Sequence, residues 1–317
     1  MIVVCGEALI DLVQGAPYQC YCPRPGGSPA NVAVGLARLG QPTEFVARLG
    51  AGRFGEVVRN HLREAGVGLA LAHVAAEPTG LALVHAGEEY EFRVTGAADF
   101  GWSAGELPTA LPDEARWLHA GSFSLVLPPG GARLARWWAG VRTLSGRSPL
   151  RSLDPNVRPS LVGSRDRYRS LLSRWCEAAD LVRLSVEDLA WVDPGKSPAD
   201  WVASVLRPPG PALVVVSEGA GGATAYTRHW SRHANAPRVE VVDTIGAGDA
   251  LTAGLLAGLS QLGVISRGAL EALDAEVVRA VLVHAVCVAA VTCTNAGAQP
   301  PTAQEMAGLE ADLLLDC

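Results

Sequence analysis

Apolar positions along the chain follow two alternating patterns. Residues 2–4, 44–46, 181–184 and 213–217 are short runs rich in β-branched side chains and read as buried strands. Between such runs lie stretches with helical spacing. In "SPANVAVGLARLG" (28–40), Ser28 is placed to cap, Pro29 suits the first turn and Gly40 ends the helix. Val32, Leu36 and Leu39 form one apolar stripe along it. "GEVVRNHLREAG" (55–66) reads as a second helix closed by Gly66. Strands alternating with helices predict an α/β fold whose mostly parallel sheet is covered on both faces. Residues 79–99 break the pattern. Tyr90, Phe92 and Val94 alternate there with Glu91, Arg93 and Thr95, after a turn at 86–88, so an antiparallel hairpin with one wet face is expected. The Pro/Gly-rich segment 15–27 is expected to join that hairpin in a small flap, or lid, formed by about 12–25 and 79–99. "RPPGP" (207–211) is a loop before a strand, and no composition shift divides the chain, so one domain over 1–317 is expected.

The stretch "VVDTIGAGDALTAGLLAGL" (241–259) poses a chemical question. Strand-like residues lead into Gly246-Ala247-Gly248-Asp249, and a helix pattern follows. A helix N-terminus favours an anion, and glycines let the backbone approach one closely. A carboxylate at that place is unsuited to bind an anion. It is suited to take a proton from a hydroxyl while the amides hold the group under attack, which is what phosphoryl transfer to an alcohol needs. The plainer reading is a capping Asp249 with glycines serving close packing, as Gly254 and Gly258 do by their spacing. A rival chemistry is present as well. "GAGRFG" (50–55) matches the dinucleotide fingerprint G-x-G-x-x-G, and Glu77 stands near the spacing expected of a ribose ligand, so an NAD-dependent oxidoreductase is the alternative from another class. No G-x-x-x-x-G-K-[ST] occurs, so a P-loop is excluded.

Bulk properties narrow the partners. With 317 residues, 49% hydrophobic and 18% charged, the chain can bury a large core. A net charge of -6 without a basic patch argues against nucleic acid. Seven scattered cysteines, an odd number, point to reduced thiols and a cytoplasmic setting. Cys20 and Cys22 lack a second Cys/His pair at zinc spacing. The first residues carry no basic region, and Glu7 and Asp11 interrupt their apolar run, so no signal peptide is expected. Residues 277–291 are apolar but contain Arg279 and His284, and they read as a buried helix too short to span a bilayer, with no membrane partner.

On these motifs the sequence resembles the ribokinase-like carbohydrate kinases, the PfkB family. "DTIGAGDA" (243–250) resembles the family's C-terminal signature and "PGGSPANVAVGLARLG" (25–40) its N-terminal one, in the right order along nearly the whole chain. "CGEALIDL" (5–12), "DPNVRP" (154–159), "RLSVEDLAWV" (183–192) and "AGAQPPT" (296–302) look most like bacterial fructokinases, with 2-keto-3-deoxygluconate kinases close behind, and ribokinase is the other alternative inside the class. The resemblance implies a three-layer α/β/α domain with about nine strands and a small β lid. It implies a kinase that uses ATP and Mg²⁺, with K⁺ beside the anion hole, and a homodimer contact through the lid. Asp249 would be the base, and the amides of Gly246, Ala247 and Gly248 the anion hole. Asp11, Gly27 and Asn31 would hold sugar hydroxyls, with Arg93 and Arg158 touching sugar or phosphate. Ser185, Ser217, Gly219, Gly222, Asn295 and Ala298 would match the nucleotide side. Glu187 or Asp188 would organise magnesium, and Asp243 and Ile245, with the stretch around Asn295 and Gly297, the K⁺ carbonyls. Three positions depart from the family pattern: Gly52 replaces an aspartate, Ser185 replaces the asparagine of N-x-x-E, and Ser217 opens the T-x-G turn. Fructose is favoured over an acidic sugar, because Asp11 and Asp99 would repel a carboxylate if both face the pocket, although Arg93 could bind one.

Overall fold

The computed structural model describes residues 1–15, 20–85, 90–103 and 105–313, of which 309–313 by backbone alone. Its main sheet has eight strands. These are β1 (Ile2–Cys5), β4 (Thr43–Val46), β9 (Trp117–Gly121), β10 (Leu150–Asp154), β11 (Leu181–Ser185), β12 (Leu213–Ser217), β13 (Ala223–Tyr226) and β14 (Ser231–Ala234). Their order is β14-β13-β12-β11-β10-β9-β1-β4. The run from β12 to β4 is parallel, and β13 and β14 add an antiparallel edge. The count is eight where the resemblance implied about nine. Helices cover both faces, and the strand alternation decides which face each residue serves. Ile2 and Val4 join one core with Val32, Leu36, Leu255 and Leu282, while Val3 and Cys5 join the other with Trp138, Leu172 and Trp175.

A separate four-stranded sheet stands beside this body in the order β3-β2-β7-β8. Here β2 is Leu9–Gln14, β3 Tyr21–Gly26, β7 Leu81–Val84 and β8 Tyr90–Arg93. The expected hairpin is the antiparallel β7–β8 pair, and its turn at 86–88 lies outside the described residues. Segment 15–27 contributes β3, antiparallel to β2. Leu9, Ala82, Phe100 and Phe123 form the small core beneath this sheet, with Tyr90 and Phe92 packed on it.

The helix Ala275–Cys293 has 19 residues and a mean hydropathy of 1.9, so length alone would let it cross a bilayer, contrary to the expectation from sequence. It is instead the partner of the helix Ala247–Gln261. Added Cβ atoms on Gly254 and Gly258 would lie 2.7 Å from Ala285 Cα and 3.0 Å from Val281 Cγ1, so these glycines set the distance between the two helices. The fingerprint at 50–55 has no place in the main sheet. Its strand β5 (Arg48–Gly50) pairs only with β6 (His73–Ala75), a Cβ on Gly55 would overlap the Gly50 carbonyl, and Glu77 is bound to Arg48 at 2.9 Å. Gly50 and Gly55 answer local crowding, whereas a Cβ at Gly52 would meet nothing within 4 Å. Gly52 is the uncapped N-cap of the helix Arg53–Glu64, the place where the family's aspartate would have capped.

Candidate active site

The helix Ala247–Gln261 begins at Gly246, whose φ of +81° is left-handed. A Cβ there would sit 2.5 Å from that of Ala298, so glycine is required on both conformational and steric grounds. Asp249 lies in the first turn and is buried, at 8% exposure. The Ser28 hydroxyl donates to its Oδ1 at 2.6 Å and the Asn31 amide to its Oδ2 at 2.8 Å. Ser28 therefore does not cap its own helix, as the sequence suggested. The N-cap is Gly27, without a side-chain hydrogen bond, and the freed hydroxyl serves a residue on another element. Asp249 is itself no cap, since the N-cap of its helix is Gly246. Burial raises the Asp249 carboxyl to about 6 against the two hydrogen bonds that lower it, with Asp154 adding repulsion and Arg158 attraction.

Asp249 faces a small cavity together with Asp11, Gly27, Asn31, Tyr90 and Arg158. Asp11 comes from β2 of the lid sheet and is pushed to about 7, first by burial and then by Asp249, with Arg158 opposing. The paired glycines of "PGGSPAN" are needed here. A Cβ on Gly26 would overlap the Asp11 carboxylate, and one on Gly27 (φ +101°) would lie 2.8 Å from the Glu7 carbonyl. Arg158 reaches across to the lid, with its guanidinium 5.9 Å from the Tyr90 ring centre.

A larger cavity of about 660 Å³ opens on the far side of the helix N-terminus. Ser217, Gly219 and Gly222 line it from the end of β12, and Val241, Ala290 and Cys293 from the opposite wall. Gly222 is fixed sterically, since a Cβ would overlap the Ala234 carbonyl. A third space of about 290 Å³ shares Arg183, Ser185, Glu187 and Gly248 with the large cavity, and Asn156 and Arg158 with the small one. The third space thus borders both others, and residues of the 246–249 turn line all three.

Several expected residues are placed differently. Arg93 is on the lid's outer face, 62% exposed and paired with Glu91, because β8 turns Tyr90 and Phe92 to the cavity instead. Asp99 is buried beneath the lid, where it accepts the amides of Ala8 and Gly80, and it does not line the cavity. Asn295 bends back to the Val291 carbonyl and does not line the large cavity. Asp188 is used locally. It forms a capping box with Ser185 and accepts the Val157 amide at 2.7 Å, which leaves exposed Glu187 at the border of the two larger spaces. The Ala247 amide donates to the Thr244 carbonyl at 3.2 Å, so this member of the expected anion hole is already engaged. Ala298 backs Gly246 and does not line the large cavity. Asp243 accepts from the amides of Ile245 (3.0 Å) and Gly297 (2.7 Å), which pins the two loops expected around K⁺. Ile245 itself lines the small cavity.

One residue escaped the sequence reading. Arg183, in the middle of β11, donates to Asp154 at 3.0 Å and to Ser217 at 2.6 Å, and its side chain is 8% exposed. A Cβ on Gly248 would lie 2.8 Å from its Nη1. The signal was an arginine inside an otherwise apolar strand, since a buried cation needs a partner and a reason.

Residues 1–305 match the model of the pfkB family carbohydrate kinases. The chain belongs to this family. Among its PfkB relatives, the fructokinase of Rhizobium leguminosarum bv. trifolii is 32% identical over 289 residues, covering 88% of this chain and 86% of that one. The structure of the Xylella fastidiosa fructokinase with bound ATP superposes with a TM-score of 0.87 at 29% identity, covering 98% of each chain. A double mutant of the Vibrio cholerae O395 fructokinase, bound to fructose, ADP and a potassium ion, superposes with a TM-score of 0.84 at 26% identity, covering 98% of this chain and 97% of that one. PfkB membership and the placement of residues 50–55 together overturn the oxidoreductase reading.

Proposed function

We propose that this PfkB kinase is an ATP-dependent fructokinase that transfers the terminal phosphoryl group of ATP to the 6-hydroxyl of fructose. The observation that carries this reading is the buried Asp249, which faces the small cavity while the turn it stands on faces the large one. In this reading the sugar lies in the small cavity against Asp11, Gly27 and Asn31, and ATP in the large one against Ser217, Gly219 and Gly222. Asp249 accepts the hydroxyl proton as the phosphoryl group passes the Gly246–Gly248 turn. Ser28 and Asn31 hold its oxygens in place, and burial keeps water away from them. Arg183 faces the middle space, where negative charge moves during transfer.

The residues fit a magnesium ion held mainly by the nucleotide's phosphates, with Glu187 as the carboxylate on the path and Asp188 supporting the loop. Bound there, the ion would offset negative charge on the nucleotide's phosphates. The double pin of Asp243 fits a K⁺ held by carbonyls of the two loops it joins. Activity is expected to be several-fold higher in K⁺ than with a bulky organic cation, and equal rates would remove K⁺ from this reading.

The sugar choice rests on charge. Asp11 and Asp249 both face the small cavity and disfavour a sugar acid, while Arg158 is the one arginine lining it among the described residues. Asp99 and Arg93, which entered the argument from sequence, do not take part. ATP consumption across a panel of fructose, ribose, glucose and 2-keto-3-deoxygluconate is expected to give fructose the highest kcat/KM. If 2-keto-3-deoxygluconate leads, and Arg158→Ala abolishes that lead, the arginine binds a carboxylate and the fructose reading fails.

Asp11 also gives a stability prediction with a definite sign. Its ordinary value of 3.8 rises to about 7 in the fold. The folded chain therefore holds a proton that the unfolded chain has lost, so stability falls as pH rises across that window. Asp11→Asn removes the penalty. Its Tm is expected to exceed the parent's by roughly 2–6 °C near pH 8 and to approach it near pH 4, with KM for the sugar raised. A Tm gain that is the same at both pH values would remove Asp11 as its cause.

A further inference from the structure

We propose that Glu7 is a positioning residue for the sugar, acting through Ser122 and the joint between the two sheets. This rests on the reading of the small cavity as the sugar pocket. Glu7 stands in the short link between β1 of the main sheet and β2 of the lid sheet, with no exposure to solvent. Both of its carboxyl oxygens lie outside hydrogen-bond geometry with any neighbour among the described residues, and so does the hydroxyl of Ser122. Ser122 follows β9 directly and lines the small cavity. Its φ of +59° is a left-handed conformation that is unfavourable for a non-glycine residue, so something must hold it.

The Ser122 and Ser124 hydroxyls stand beside the Glu7 carboxyl and lower its pKa, as does its own amide, but burial outweighs them and sets it at about 7, with Asp99 adding to the rise. Ser124 already donates to the Gly121 carbonyl at 2.9 Å, so it can only accept from Glu7. A protonated Glu7 can donate to Ser124 and accept from Ser122. An ionised one would leave two acceptors facing each other in a dry site. The other titratable groups facing it are Asp99, from the turn at 98–100, and the Cys5 thiol of β1, while Arg48 acts on Asp99. The Glu7 main chain touches a second wall of the pocket. Its carbonyl is the atom that excludes a side chain at Gly27, the N-cap of the helix whose Ser28 and Asn31 hold Asp249. One residue thus braces two walls of the cavity.

The test is steady-state kinetics with the sugar that the parent enzyme uses best. Glu7→Ala is expected to raise KM for that sugar about tenfold, with kcat and KM for ATP little changed. Glu7→Gln, which keeps a neutral donor and acceptor, restores the parent value. Ser122→Gly accepts the same backbone conformation and removes the hydroxyl together with its Cβ. The double variant Glu7→Ala/Ser122→Gly is expected to be no worse than the poorer single. If Glu7→Ala does not fold, the pH profile carries the test. The parent's KM for the sugar climbs above about pH 7 relative to that of Glu7→Gln, because Asp11 and Asp249 titrate in both proteins and cancel. A parallel rise in both KM values, full additivity in the double variant, or identical pH profiles overturns the role of Glu7 while the sugar-kinase reading stands. A parent chain that phosphorylates no sugar overturns both.

Discussion

Asp249→Asn is expected to leave a folded chain that transfers phosphoryl groups roughly 10²–10⁴ times more slowly. The substitution keeps size and polarity. Its amide oxygen can still accept from Ser28, and a flip of the Asn31 amide can meet its NH₂, so the geometry around the site survives. What is lost is the ability to accept a proton. The pH dependence distinguishes this from a packing defect. With the carboxyl raised to about 6, kcat of the parent should rise with pH through that value as the base becomes ionised. The residual activity of the Asn variant should lack that limb. Thermal melting verifies the fold, and single-turnover rates with saturating ATP and sugar measure the chemistry. A purified, folded variant with turnover near that of the parent would show that Asp249 is not the base.

Much of this site was legible in the sequence because its parts are local. The turn at 246–249 declares itself through glycines that have no substitute, one by its φ and its contact with Ala298, the next by its contact with Arg183. The two cores were legible from strand alternation, and the lid from the pattern around Tyr90 and Phe92. What was not legible is which partner a side chain finds across the fold. Ser28 has every local mark of a cap, yet its hydroxyl spans 221 residues to Asp249. Arg93 and Asp99 sit in a motif that suggests the sugar, but strand parity turns Arg93 outward and two backbone amides take Asp99. Asp188 rather than Glu187 lies at the fourth position of a capping box, and so its carboxylate is spent on the backbone.

Arg183→Met should produce the second large effect, in two separable parts. The first is stability. Asp154 is fully buried, and Arg183 and the Thr252 hydroxyl both donate to its Oδ2. Removing the guanidinium leaves a buried carboxylate without its cation, which costs on the order of 3–5 kcal/mol. The second is chemistry. Arg183 sits against Gly248 and lines both the large cavity and the space that joins it to the sugar side. Its three donor groups are only partly used, since Nη1 meets Asp154, Nη2 meets Ser217, and the buried Nε has no partner among the described residues. In the proposed reaction a fixed cation there would stabilise charge on the phosphoryl group in flight, and its loss should lower kcat by ~10²–10³-fold, as for other preorganised donors. The double variant Arg183→Met/Asp154→Asn separates the parts. Neutralising Asp154 removes the orphaned charge, so the melting temperature should recover most of what the single variant lost, while kcat should stay low. Arg183→Lys keeps a charge but not the fork that joins Asp154 to Ser217, and it should fall between parent and Met variant in rate. If the double variant regains kcat together with stability, Arg183 is a structural ion-pair partner, and the phosphoryl group is stabilised by the turn at 246–249 alone.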